Sequence, residues 1–400
     1  MHYSGERSLR TLRPMSTTTE DIQTLDAERE FISIAAELGN RISGYAAAHD
    51  RDGTFVNEAY EEMRASGYLT LAVPKELGGQ GATIRQVAMA QRELARHCAS
   101  TALASTMHHH VVLFTAWRYR RGLPGAEATL RRVVDDGIVL VSTGGADTTR
   151  PRGEAKKVDG GFLVSGRKIF ASQSPTGAVM STMFPYDDPD EGRIVLNMAV
   201  PMAAEGVNVL DNWDAMGMRG TGSHDVELTD VFIPEDKVIA RRPYGRIDPP
   251  LQVIFSIALL PIAAVYLGVA EAACDHAIAA VAGTPRADDP TIQRQVGLMR
   301  TRLRVAGWAL DGALATVGDD PAPSMDTVVE AMAAKREIAL AGVEVCDLAL
   351  EVAGGAAFYR TSPIEQCYRD VRGVKFHPFG PEETLAHAGK VALGLPADER

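Results

Sequence analysis

Cysteine is scarce in this chain: Cys98, Cys274, Cys346 and Cys367 are the four in 400 residues, and no C-x-x-C pair occurs. That spacing indicates neither a zinc ribbon nor a dithiol redox centre. No secretory signal accompanies them, so they read as reduced thiols of a cytoplasmic protein. A basic stripe with interleaved aromatics is also missing, which argues against nucleic acid as a partner. Charge leans the other way, with Lys+Arg 41 against Asp+Glu 52 and a net −11. Acidity of this size speaks to solubility more than to a ligand. Residues 1–20 carry Arg, Ser and Thr without an apolar core, and are expected to form a floppy leader in which Met15 could be the true start.

One segment lacks charge altogether. From Leu251 to Ala270, LQVIFSIALLPIAAVYLGVA, twenty residues run without a charged side chain, close to the length that spans a bilayer. Pro261 and Gly268 interrupt the run, and no Lys/Arg asymmetry flanks it. A helix apolar on every side is also what the centre of a bundle needs. A buried core helix, with no membrane, is the expectation.

The 46% apolar content at this length supports large cores in two or three domains. Up to residue 135 the apolar residues follow a helical stripe, as in Phe31, Ala35, Leu38 and Ile42. Gly67 reads as a helix stop. The period then changes to short β-rich runs, with Asp159-Gly160 as a hairpin turn. Long helices return over Leu251–Ala282, Pro290–Val317 and Ser324–Val352, with a shorter one near Pro363–Arg369. The expected fold class is α+β: an N-terminal helical domain (21–135), a middle β domain of barrel or sandwich type (136–245) and a C-terminal four-helix bundle (246–400).

Three motifs in that frame, YLTLAVPKELGGQG, MGMRGTGSHDVELTDVFIP and AGGAAFYRTSPIEQCYRD, together resemble the acyl-CoA dehydrogenase superfamily over about residues 25–395. The resemblance implies a flavin held between the β domain and the bundle, and a homotetramer of paired dimers. Backbone amides and hydroxyls suit a flavin's polar edge. VSTGGAD offers Ser142 and Thr143, and RKIFASQS offers Phe170 and Ser172, two apart and on one face of a regular strand. The resemblance lays Phe170 and Ser172 against the flavin ring; without it they read as a core Phe and a solvated Ser.

The family's dehydrogenases use a glutamate base, and neither position known for it is filled here. Counting from Arg369-Asp370 puts Pro378 at one, and no acid lies between Asp248 and Glu271 at the other. A looser alignment brings in Glu382 or Glu383 as an alternative base; otherwise they are charges favourable at a helix start. The segment AGTPRADDPTIQ, with paired aspartates, stands where the family's FAD enzymes have an Arg-x-x-Phe-Gly run, and Glu351 replaces a Gln before Gly354 and Gly355. Tight dinucleotide binding is weakened by such charges, so reduced FMN is favoured over FAD, while Gly354 and Gly355 still permit close backbone approach to a cofactor.

These departures resemble the flavin-dependent monooxygenase branch that contains dibenzothiophene monooxygenase. That likeness implies reduced flavin from a separate reductase, O2, a C4a-hydroperoxyflavin and oxygenation of a small organic substrate. A histidine follows an RDxRxxxxH pattern in that branch, and RDVRGVKFH matches it from Arg369 to His377. An imidazole could protonate the peroxide or deprotonate the substrate, so His377 is the first catalytic candidate. In MHHHVV, consecutive helical residues sit about 100° apart and cannot all face one ligand; nor is this a metal motif. The family's site-bordering residue aligns with His108, less well with His109; each reads otherwise as a helix-surface or interface histidine. MGMRGTGSHDV puts Arg219, Ser223 and His224 near the substrate mouth by the same likeness, although Arg219 fits a structural salt bridge as readily. The alternatives in function are an FAD-dependent acyl-CoA dehydrogenase and a catalytically inactive flavin-binding subunit.

Overall fold

The computed structural model describes residues 19–145 and 148–399, with side chains described from Glu28 onward. The expected leader lies, up to residue 18, outside the described residues. Among the described residues five α-helices come first: α1 (Thr19–Asp52), α2 (Asn57–Ser66), α3 (Ile84–His97), α4 (Ala99–Arg120) and α5 (Ala126–Asp135). Phe31, Ala35, Leu38 and Ile42 of α1 are buried, as their spacing predicts. Gly67 ends α2 in the left-handed conformation with φ 71°. Thr83 opens α3 through a reciprocal cap with Gln86, the Oγ1 accepting at 3.2 Å and the Gln86 Oε1 accepting at 2.9 Å.

Eight strands follow among the described residues: β1 (Val139–Ser142), β2 (Glu154–Val158), β3 (Gly161–Ala171), β4 (Gly177–Asp188), β5 (Gly192–Pro201), β6 (Val207–Val209), β7 (His224–Pro234) and β8 (Val238–Pro243). They form two sheets, β1-β4-β5-β8 and β2-β3-β7-β6. All pairs are antiparallel except β1 with β4. Side chains of both sheets, including Val141, Phe162, Phe184, Leu196 and Val226, share one buried cluster, so the β unit is a sandwich. Asp159-Gly160 is the two-residue turn between β2 and β3, with Gly160 at φ 74°.

The chain closes with α6 (Pro249–Val281), α7 (Pro290–Val317), α8 (Met325–Ala353), α9 (Pro363–Val371) and α10 (Pro381–Ala392). Asp-Pro or Ser-Pro pairs open α6, α7 and α9, where proline presets the first turn, and in α7 and α9 the Asp289 and Ser362 side chains also cap it. α6 is long and apolar enough to cross a membrane, yet 94% of its apolar window is buried. It packs on α3, α4, α7, α8 and α9, which explains why it is apolar on all sides. The fold class is the α+β arrangement expected from the motifs.

Candidate functional site

A cavity of about 860 Å³ lies where α4, the sandwich, the first half of α6 and the turn after α9 converge. One face of α4 contributes Leu103, Met107, His110, Val111 and Phe114 at helical spacing. The sandwich contributes Ser142, Thr143, Phe170, Ser172 and Ser223, while Tyr266, Arg369, Arg372 and His377 close the other side. Gly145 makes this closure feasible: a Cβ there would fall 2.8 Å from the Pro378 ring, so the exit of β1 and the His377 turn meet without a side chain between them.

Phe170 and Ser172 both line the cavity but not as neighbours on a flat strand. The pairing of β3 with β7 breaks between Lys168 and Ala171, and Phe170 turns left-handed at φ 55°. A bulge of this kind re-aims a side chain, and the Phe170 ring stands edge-on to Trp213 at 5.9 Å. Ser172 Oγ is 2.8 Å from Ser223 Oγ, which is 2.7 Å from Thr221 Oγ1. Thr143 Oγ1 donates to Thr182 Oγ1 at 2.7 Å. Thr148 Oγ1 is buried at the cavity wall with no hydrogen-bond partner among the described residues, a group that a polar ligand edge would satisfy.

The Arg369-Asp370 pair is a latch rather than a reacting group. Arg369 grips both oxygens of Asp50 at 2.9 and 2.6 Å, reaches Glu365 and donates to the Met216 carbonyl at 2.9 Å. Asp370 accepts the backbone N–H of Met218, a residue held left-handed at φ 54°. Burial raises the Asp370 carboxyl to about 7, against the pull of that hydrogen bond. The pair thus ties α1 and α9 to the 216–218 loop of the cavity wall.

His377 lines the cavity, and its Nε2 is 2.8 Å from the Tyr266 hydroxyl. Burial, with the nearby Lys335 ammonium and His110, pushes its pKa down to about 3. His110, across the cavity wall, has Nδ1 3.2 Å from the Thr106 carbonyl and a pKa lowered by burial to about 4.

Several expected site residues stand elsewhere. His108 is fully buried outside the cavity lining: Nε2–H donates to the Leu69 carbonyl at 2.8 Å and Nδ1 accepts the Leu140 N–H at 3.1 Å, so it bolts α4 to β1. His109 is also buried behind the lining, edge-on to Tyr68 at 5.4 Å, with neither ring nitrogen hydrogen-bonded among the described residues. Both expectations are corrected by helix rotation, which turns His110 inward instead. Arg219 is occupied by Asp214 and the Asp50 carbonyl, each at 2.7 Å, and does not line the cavity. His224 stands behind the wall, where Nδ1 accepts the N–H groups of Asn212 and Trp213. Glu383 caps α10 through the Gly380 N–H at 3.3 Å, and Glu382 is exposed; neither lines the cavity. Gly354 and Gly355 lie at the end of α8, where Arg286 holds the Val352 and Ala353 carbonyls, away from the cavity of this chain. Asp236 is the one carboxylate among the described lining residues, and it pairs with Lys237 at 2.9 Å.

Sequence reading missed His110 and Tyr266. Projecting the α4 stripe would have picked out His110, in step with Met107 and Phe114. Tyr266 could have been noticed as the phenol within a mainly apolar helix segment.

Comparison with known proteins bears out the motif-based resemblance. The acyl-CoA dehydrogenase N-terminal, middle and C-terminal domains match residues 26–119, 142–231 and 260–380. L-evernosamine nitrososynthase of Micromonospora sp. is 33% identical, covering 93% of this chain and 92% of that protein. The putative acyl-CoA dehydrogenase YdbM of Bacillus subtilis is 29% identical, covering 88% of this chain and 94% of that one. KijD3 in complex with FMN and dTDP-3-amino-2,3,6-trideoxy-4-keto-3-methyl-D-glucose superposes with a TM-score of 0.86 at 29% identity, over 94% of this chain and 95% of that one. The three domain matches, in order along the chain, and a relative one-third identical over nearly its whole length make this chain a member of the acyl-CoA dehydrogenase family.

Proposed function

We propose that this chain is a monooxygenase that takes reduced FMN from a separate reductase and uses O2 to oxygenate a small organic substrate in the cavity. One oxygen atom goes to the substrate and the other leaves as water, with two electrons supplied by the reduced flavin. The observation that carries this reading is a chamber whose one carboxylate among the described lining residues, Asp236, is exposed and paired with Lys237. α-Proton abstraction from an acyl thioester needs a positioned base, and the wall opposite the sandwich offers neutral His377 and Tyr266 instead.

The donor set suits a flavin. Phe170 and Trp213 supply flat apolar surface, while Ser142, Thr143, Thr148 and Ser172 supply hydroxyls for its polar edge. Bound reduced flavin would supply the electrons and the activation of O2. His377 would orient the oxygen being transferred by a hydrogen bond, and Met107, Val111 and Phe114 would keep water away. A substrate amine would enter unprotonated, because an ammonium buried without a carboxylate is costly. A neutral amine keeps the lone pair that attacks oxygen. The nitrososynthase relative and the amino-sugar nucleotide bound by KijD3 support nitrogen as the acceptor atom. Phe358 and Tyr359, exposed beside Gly355, support a homotetramer in which a second copy covers them.

The test is to supply FMNH2 through a reductase, with O2 and dTDP-amino sugars, against an acyl-CoA control. Oxygenated product without reduction of bound flavin by acyl-CoA is the expected result. Flavin bleaching by an acyl-CoA, without oxygenation of any amine, would instead establish a dehydrogenase.

A further inference from the structure

Tyr266 is fully buried in the middle of α6, and His377 Nε2, at 2.8 Å, is the one hydrogen-bond partner of its hydroxyl among the described residues. A phenol is a better proton donor than a neutral imidazole N–H, and an imidazole lone pair is a better acceptor than a phenol oxygen. The hydroxyl therefore donates and Nε2 accepts. A neutral imidazole carries a single ring proton, which is then on Nδ1.

Two further features preserve this pairing. A Cβ on Gly373 would sit 2.7 Å from the Tyr266 hydroxyl, so the glycine of RDVRGVKFH clears the room that the phenol occupies. Lys335, 2% exposed, donates from Nζ to the Phe379 carbonyl at 3.0 Å and reaches the His377 carbonyl at 3.4 Å, pinning the main chain of the turn. Ring, backbone and clearance are thus set by three different elements. We propose that Tyr266 is a positioning residue that holds His377 as the Nδ1–H tautomer, so that the imidazole meets a cavity ligand as a hydrogen-bond donor and not as a base.

The two neutral tautomers differ little in intrinsic energy, and one ordinary hydrogen bond biases them about tenfold. The role in oxygenation rests on the function proposed above; the tautomer itself belongs to the chain without any ligand. It is read directly by long-range ¹H–¹⁵N spectroscopy of histidine-labelled protein without flavin at neutral pH, with His377 assigned by its loss in His377→Asn. A protonated Nδ1 and a bare Nε2 are expected. Tyr266→Phe, and separately Gly373→Ala should the first variant fail to fold, would move both nitrogens toward an averaged position. Oxygenation per O2 consumed would fall about twofold in Tyr266→Phe, as the Nδ1–H share drops from about nine-tenths to about half, with FMN affinity unchanged. A protonated Nε2 in the wild type, or an unaltered spectrum in both variants, would overturn the proposal. Full activity of His377→Asn beside the expected spectra would overturn the positioning role and leave the tautomer standing.

Discussion

His108 and His110 sit two residues apart on α4, with both ring nitrogens of the first bound to backbone groups and the second facing the cavity. Replacing His108 with Leu strands the Leu140 N–H and the Leu69 carbonyl, at about 1–3 kcal/mol for each buried orphan. Urea denaturation should show that loss, with little change in turnover for the protein that remains folded. His377→Asn should reverse the emphasis: stability down only by about 1–3 kcal/mol for the one orphaned Tyr266 hydroxyl, and oxygenation down by about 10²–10³-fold, the usual cost of one donor at a reacting oxygen. Because the His377 pKa is pushed down to about 3, this residue should give no inflection in the rate between pH 5 and 8. A clear inflection abolished by His377→Asn would contradict the neutral-donor role. The residue types of this site were legible in MHHHVV and RDVRGVKFH. Which imidazole faces inward was not, because one step along a helix turns a side chain by about 100°.

Local sequence rules account well for the elements that follow them. Asp-Pro and Ser-Pro starts, the Gly67 stop and the Asp159-Gly160 hairpin all form where their chemistry places them. The end of β3 was illegible, since a bulge with Phe170 left-handed depends on the pairing with β7 and on contacts such as Trp213. α10 shows the same limit in reverse: Glu382 and Glu383 look like bases in a list of acids, yet belong to a helix start. The double change Glu382→Gln and Glu383→Gln should leave oxygenation intact. It should lower stability by roughly 0.3–1 kcal/mol for each charge lost from the first turn, read as a shift in thermal midpoint. Loss of activity with unchanged flavin binding would restore a glutamate to the chemistry.

Across the whole molecule, burial of imidazoles sets the response to acid. Burial first of all pushes His108, His110 and His377 down to about 4, 4 and 3, and holds His109 well below the usual imidazole range. The unfolded chain takes up these protons near the usual 6.5 while the folded chain resists. Stability therefore falls as pH drops from about 6.5 toward 4, by up to about 1.4 kcal/mol per unit for each imidazole. Asp370 acts in the opposite sense: raised to about 7 by burial, it holds its proton in the fold and loses stability as pH rises from about 4 to 7. Burial also raises Asp248 and Glu28, but the lowered imidazoles, with His224 and His276 among them, outnumber these carboxyls, so urea midpoints should decline below pH 6.5. A flat profile down to pH 4 would mean that these histidines are not buried neutral. The architecture was legible because three motifs and two changes of period span the chain. The cavity was not, because its walls come from α4, the sandwich, α6 and the turn after α9, brought together by packing alone.

On the function proposed above, this cavity accepts reduced FMN and controls its reaction with oxygen through His377. Rapid mixing tests it most directly: anaerobic protein with FMNH2 is mixed with O2 while the return of oxidised-flavin absorbance is followed. Reoxidation much slower than that of free FMNH2 is expected in the wild type, and faster reoxidation in His377→Asn. Reoxidation indistinguishable from free FMNH2 in both proteins would contradict it.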